Sequence, residues 1–243
     1  MTVLAGLLAV PAVAAAPAQA APPPAGAPGA LSHYDLARKD CVGTARNTTS
    51  KVWYTVANGV LSDVYAPTVD NTNVETLQYA VTDGSTFTDL QTRDMTYTVG
   101  SIDPGGMACR VTSTPRRGGY SLVTDYVTDP QRNAVVMHTR LRGPASLKVF
   151  VRYDATVNGN GGGGASNGGA DDATVDPATT ALVSSDTNTV TNAVNRDYGV
   201  PLFGALRGDR PFRSASSGYA GTASDGLAQL DADHALSGPT TAL

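Results

Sequence analysis

Between Val52 and Tyr65 the large apolar and aromatic side chains fall on both parities of an extended chain. One arm reads Val52-Trp53-Tyr54-Thr55-Val56, the other Val60-Leu61-Ser62-Asp63-Val64-Tyr65, with Asn58-Gly59 between them. Asn-Gly is the strongest short hairpin signal, because both central residues of a two-residue turn need positive φ. Such a loop places Val56 opposite Leu61, Tyr54 opposite Asp63 and Val52 opposite Tyr65. The other face then carries Trp53, Ala57, Val60 and Val64. Bulk on both faces predicts a hairpin covered on both sides, its aromatic residues filling an interior or a domain contact.

The same kind of pattern continues downstream. Asp83-Gly84 separates Leu77–Val81 from Thr86–Leu90, and further strand-like runs are Met95–Val99, Tyr120–Thr128, Ala134–Leu141 and Leu147–Tyr153. The turn Asp129-Pro130-Gln131-Arg132-Asn133 joins two of them, with proline presetting φ. Short strands at this spacing, with no helical period between them, predict an all-β chain folded as a large antiparallel β-sandwich. After Val157 the pattern gives way to a glycine-rich stretch, and 158–170 is expected to be a flexible surface loop. Ala181–Val194 reads as strand or short helix. The tail to Leu243 ends with no closing strand, so the sandwich is expected to be incomplete there.

Composition narrows the class. With 243 residues, 41% hydrophobic and 16% charged, the chain has enough apolar content for a packed core. A net charge of −4 with no basic stripe argues against a nucleic-acid partner. Residues 1–20 form an apolar run ending in Ala18-Gln19-Ala20, the A-x-A form of a signal-peptidase site, although no Lys or Arg precedes the run. Cleavage after Ala20 would make the protein secreted. Pro11 and Pro17 interrupt a run already too short to span a bilayer, so no membrane is expected after cleavage. Residues 21–31 are a Pro/Ala/Gly linker, and the folded domain is expected over 32–243. Cys41 and Cys109 either close one bridge across 68 residues, worth about 4 kcal/mol on the chain-entropy argument, or remain two buried thiols.

Motif chemistry is thin. Gly159–Gly164 formally satisfies GxGxxG, but no helix-forming segment follows to receive a pyrophosphate. Asp171, Asp172 and Asp176 could offer oxygens to calcium, yet lack the order of an EF-hand loop and suit solvated loop carboxylates better. His33, His138 and His234 have no metal spacing, and His138 suits a strand face. Asn47-Thr48-Thr49 fits a glycosylation sequon. Trp53, Tyr54, Tyr65, Tyr79 and Tyr97 could stack on a sugar ring, although strand aromatics more often fill cores. No serine sits in a GxSxG elbow, and no spacing marks a carboxylate pair for glycoside hydrolysis. No catalytic, cofactor-binding or metal residue is assigned, and no cofactor is expected.

A longer ordered run of residues is more specific. Gly43-Thr44-Ala45, Ser50-Lys51-Val52-Trp53-Tyr54 and Gly59-Val60-Leu61-Ser62-Asp63-Val64-Tyr65-Ala66-Pro67-Thr68-Val69-Asp70 resemble the N-terminal β-domain of bacterial glucodextranases and glucoamylases, of glycoside hydrolase family 15. Leu77-Gln78-Tyr79-Ala80-Val81-Thr82-Asp83-Gly84, then Asp94, Tyr97, Tyr126-Val127-Thr128-Asp129-Pro130-Gln131-Arg132 and Tyr153-Asp154 extend the resemblance. The two cysteines and the long glycine loop fall outside it. The resemblance implies a galactose-mutarotase-like super-sandwich ahead of an (α/α)6 barrel. In that family, barrel glutamates cleave α-glucosidic bonds with inversion. It further implies a non-catalytic structural domain of an exported α-glucan hydrolase, inactive alone, whose partner is that barrel. Two alternatives stand beside it: a stand-alone carbohydrate-binding module that takes α-glucan, and the product of a truncated reading frame.

Overall fold

The computed structural model describes residues 39–159, 172–186, 202–215 and 217. Residues 1–20, the 21–31 linker and nearly all of the 158–170 loop lie outside them. At the hairpin tip Asn58 and Gly59 take φ of 52° and 75°, the conformation the Asn-Gly pair was expected to adopt. The strands are β1 (Cys41–Thr44), β2 (Trp53–Ala57), β3 (Val60–Tyr65), β4 (Thr72–Thr82), β5 (Thr88–Leu90), β6 (Met95–Ser101), β7 (Cys109–Pro115), β8 (Ser121–Thr128), β9 (Val135–Arg142), β10 (Lys148–Gly159), β11 (Asp172–Val175), β12 (Leu182–Asp186) and β13 (Leu202–Leu206). A short helix, α1 (Gln91–Asp94), lies between β5 and β6.

All strand pairings among the described residues are antiparallel. The first sheet runs β1-β2-β3-β4-β10, with β5 also on β4; the second runs β6-β7-β8-β9, and the third β11-β12-β13. The all-β sandwich expected from the strand pattern is therefore the fold. Strands β1, β7, β11 and β13 were not anticipated. Of the ambiguous Ala181–Val194, Leu182–Asp186 is strand, and the rest lies outside the described residues.

The first two sheets bury a shared interior. Tyr54, Val56, Leu61, Leu77, Tyr79, Val151 and Tyr153 from the first meet Cys109, Val111, Leu122 and Tyr126 from the second, and Leu182 of β12 joins them. Strand β7 shows how one face is selected, since buried and more exposed positions alternate along all seven residues. In β4 nearly every position is buried, so both of its faces are covered.

The hairpin register departs from the simple expectation. Val56 does lie opposite Leu61, but Asp63 then pairs with Thr55, Val64 with Tyr54 and Tyr65 with Trp53. Ser62 is the extra residue of a β-bulge. Without it, Asp63 would stand beside Tyr54 and face the interior. The bulge turns Asp63 outward and Val64 inward, so Val64 belongs to the core side, and Trp53 shares its face with Tyr65.

Polar bonds fix one sheet to the other. The Tyr54 hydroxyl donates to the Tyr126 carbonyl at 2.7 Å, and the Thr139 hydroxyl donates to that of Tyr79 at 2.8 Å. The Gln91 side chain accepts the Tyr79 N–H at 2.7 Å and donates to Ser113 at 3.0 Å. At one end Asp89 accepts from both Arg117 and Tyr120 at 2.8 Å, while the Arg117 guanidinium lies 3.2 Å above the centre of the Phe87 ring. Gly43 lets β1 approach, because a Cβ there would come within 2.2 Å of the Tyr54 ring.

Of the two readings open for the cysteines, the structure realises the bridge: Cys41 on β1 is bonded to Cys109 on β7, with Cα atoms 6.3 Å apart. It ties an edge strand of the first sheet to the second across 68 residues. Reduction is expected to lower unfolding free energy by about 4 kcal/mol. Urea unfolding of oxidised and reduced protein checks this, and an unchanged midpoint would contradict it.

Candidate functional site

Inward placement of Tyr54 and Val56 sends the alternate residues of β2 to the outer face. On the β1–β2–β3 ladder Val42 pairs with Thr55 and Thr55 with Asp63, while Thr44 pairs with Trp53 and Trp53 with Tyr65. Two rows result, and they differ in cover. In the Thr55–Asp63 row, Lys39 Nζ lies 2.5 Å from Asp63 Oδ2, which also accepts the hydroxyls of Thr55 at 2.8 Å and Ser62 at 3.1 Å. Asp63 is 4% exposed, so this carboxylate is enclosed and balanced by a cation and two hydroxyls.

The neighbouring row is open. Trp53 is 37% exposed and Val42, diagonally beside it, 42%, whereas Tyr54 is fully buried. Tyr65 is half-buried, and its phenol is pushed up to about 12, first by burial and then by the Asp63 charge. The phenol is itself hydrogen-bonded to Thr55 and Asp63, so its hydroxyl belongs to the enclosed cluster while the ring lies beside Trp53.

The expected aromatic set is thus divided. Tyr54 and Tyr79 belong to the core, Trp53 and Tyr65 form an outward pair, and Tyr97 stands apart, with its ring against Gly59 and its hydroxyl donating to Asp40 at 3.1 Å. Of the two placements expected for Trp53, an interior or a domain contact, the interior is excluded, because the parity that buries Tyr54 turns Trp53 outward. Val42 and the enclosed Asp63 were not singled out in the sequence, and only knowledge of which strand face is inward would have flagged them.

Other candidates have local roles. His138 is exposed on β9, its Nδ1 2.8 Å from Arg140, in a surface cluster where Asp125 accepts from Arg110 at 2.7 Å and Arg140 at 3.0 Å. Those two guanidinium groups, Arg110 first, pull the Asp125 carboxyl down to about 2. Asp176 caps its own turn, accepting from the Ala178 N–H at 3.1 Å and the Thr179 hydroxyl. Asn47 is exposed and donates to the Pro130 carbonyl at 2.8 Å. Gly159 ends β10. The rest of the GxGxxG stretch, Asp171, His33, His234 and the side chain of Asp172 lie outside the described residues. Among the described residues no group of three His, Cys, Asp or Glu is placed to hold a metal ion.

One further carboxyl is unusual. Asp154 on β10 lies opposite Thr76 of β4 and is 6% exposed, and its Oδ2 has no hydrogen-bond partner. Burial pushes it up to about 6, against the opposing pull of Arg152 two residues away.

An antiparallel sandwich hosts many unrelated functions, so the fold alone assigns none. The family model described as glucodextranase, domain N, matches residues 24–242, and the chain belongs to that family. It is 33% identical over 138 residues to a glucoamylase of Clostridium sp. (strain G0005), a match covering 55% of this chain and 20% of that protein. The fold also matches a bacterial glucoamylase solved in complex with acarbose, with a TM-score of 0.56 and 25% identity, covering 69% of this chain and 26% of that one. The matched part therefore spans about a fifth to a quarter of these relatives.

Asp154 generates a pH test. Its folded value lies above its ordinary 3.8, so its contribution to stability is fully present below about 3.8 and is lost as pH rises through about 6. Relative to Asp154→Asn, the wild type is expected to lose on the order of 2 kcal/mol between about pH 4 and about pH 7. Urea midpoints at both pH values check it, and a pH-independent difference would contradict it.

Proposed function

We propose that the chain is the non-catalytic N-terminal domain of an exported α-glucan hydrolase of glycoside hydrolase family 15, joined in the parent enzyme to an (α/α)6 catalytic barrel. The match of the glucodextranase N-domain family along residues 24–242 carries this reading. The small share of the glucoamylases that the match covers agrees with it, since most of each relative lies outside the sandwich. The geometry adds support. Inverting hydrolysis needs two carboxyl groups roughly 6.5–9.5 Å apart across the scissile bond, one a free acid and the other a free base. Asp63 is tied to Lys39 and two hydroxyls, Asp89 is tied to Arg117 and Tyr120, and Asp154, whose Oδ2 has no partner, is closed off from solvent at 6% exposure.

The domain's role in this reading is to pack on the barrel and hold its fold. Purified chain is expected to show no turnover of dextran, soluble starch or p-nitrophenyl α-glucoside, and turnover above a blank would contradict the non-catalytic role. Export is tested separately. The mature protein in the culture medium is expected to begin at Ala21, and an intact Met1 terminus retained in the cells would contradict secretion.

A further inference from the structure

Trp53 is the one tryptophan of the chain, and it stands on an open part of the sheet. Its direct partner across the β2–β3 ladder is Tyr65, and Val42 lies diagonally beside it on β1. Each of these side chains points away from the interior, because Cys41, Tyr54 and Val64, which alternate with them, point inward. The row is framed by polar groups held in place: Thr44, whose hydroxyl donates to the Val52 carbonyl at 2.8 Å, and the Lys39–Asp63–Thr55–Ser62 cluster. The cluster fixes the bulge that sets the direction of Tyr65.

The size of the patch selects its occupant. An indole of about 250 Å² at this exposure offers roughly 90 Å², and with Val42 and the half-buried phenol the patch is on the order of 200 Å². A stable protein interface buries about 800 Å² on each partner. A flat indole with a phenol and an aliphatic edge beside it suits a smaller partner, one with an apolar C–H face and hydroxyls around its rim. A pyranose ring has that chemistry: its C–H face lies on the indole, with Val42 and the edge of the Tyr65 ring beside it and its hydroxyls turned to solvent.

We propose that Trp53, Tyr65 and Val42 form a surface subsite for a glucose ring of an α-glucan chain. The choice of α-glucan rests on the function proposed above; the subsite itself rests on the exposed aromatic row.

The single indole makes the site its own reporter. Tryptophan emission of the full chain is titrated with maltoheptaose, with dextran and with β-linked cellopentaose. The expected result is a saturable change with an α-glucan, at a dissociation constant in the millimolar range, and none with cellopentaose. Native electrophoresis in gels containing dextran or soluble starch supplies a second readout. Retardation is expected for the wild type, partly retained in Trp53→Phe, reduced several-fold in Tyr65→Ala and lost in Trp53→Ala, with the far-ultraviolet circular dichroism of all three variants unchanged. No emission change with either α-glucan, a response to cellopentaose alone, or equal retardation of Trp53→Ala would each overturn the subsite. The activity and export assays that judge the parent-domain reading do not involve Trp53, so the two ideas fail separately.

Discussion

The inward seat of Tyr54 is the constraint on which the rest of the first sheet depends. Its hydroxyl reaches the Tyr126 carbonyl on the opposite sheet, its ring lies 6.1 Å from that of Tyr126, and β1 closes over it only because Gly43 has no side chain. A buried phenol without that carbonyl would cost about 1–3 kcal/mol, so parity along β2 is strongly specified. Once Tyr54 faces in, Trp53 must face out. The bulge at Ser62 then carries the choice to β3, bringing Val64 inward and placing Asp63 among Lys39, Thr55 and Ser62. One interior hydrogen bond thereby shapes an outer face.

The two sheets meet through polar bonds set in an apolar interior. Gln91 bridges β4 and β7, Asp89 gathers Arg117 and Tyr120, and the Cys41–Cys109 bond holds the edge strand β1. Each polar bond adds little net stability, but breaking one strands a buried partner, so together they select one relative placement of the sheets.

Much of this frame was legible in the chain. Asn58-Gly59 and Asp83-Gly84 marked their turns, and the apolar runs after Tyr120, Ala134 and Leu147 marked β8, β9 and β10, because turn chemistry and dense β-branched residues act locally. Strand β7 escaped notice because its inward positions include Cys109, Ser113 and Pro115, which carry little hydrophobic signal. Strand β1 is only four residues long and includes a glycine. The register beyond Leu61 was misplaced because a bulge is set by which residue the opposite sheet accepts, a long-range matter invisible in Leu61-Ser62-Asp63. Adjacent aromatics at Trp53 and Tyr54 left the outward one undecided for the same reason. The enclosure of Asp154 likewise depends on strand pairing. The run from Lys51 to Asp70 nevertheless indicated the family, because an ordered set of residues preserves a fold's accumulated constraints even where single residues are ambiguous.

The face assignment of Trp53 joins the interior to the functional reading, and collisional quenching of the sole indole by acrylamide probes it most directly. With Tyr54 inward, the native protein should be quenched with a substantial fraction of the efficiency seen after unfolding in guanidinium. An indole protected from quencher in the native state and released only on unfolding would mean that Trp53 lies in the interior, and would contradict the arrangement of both faces.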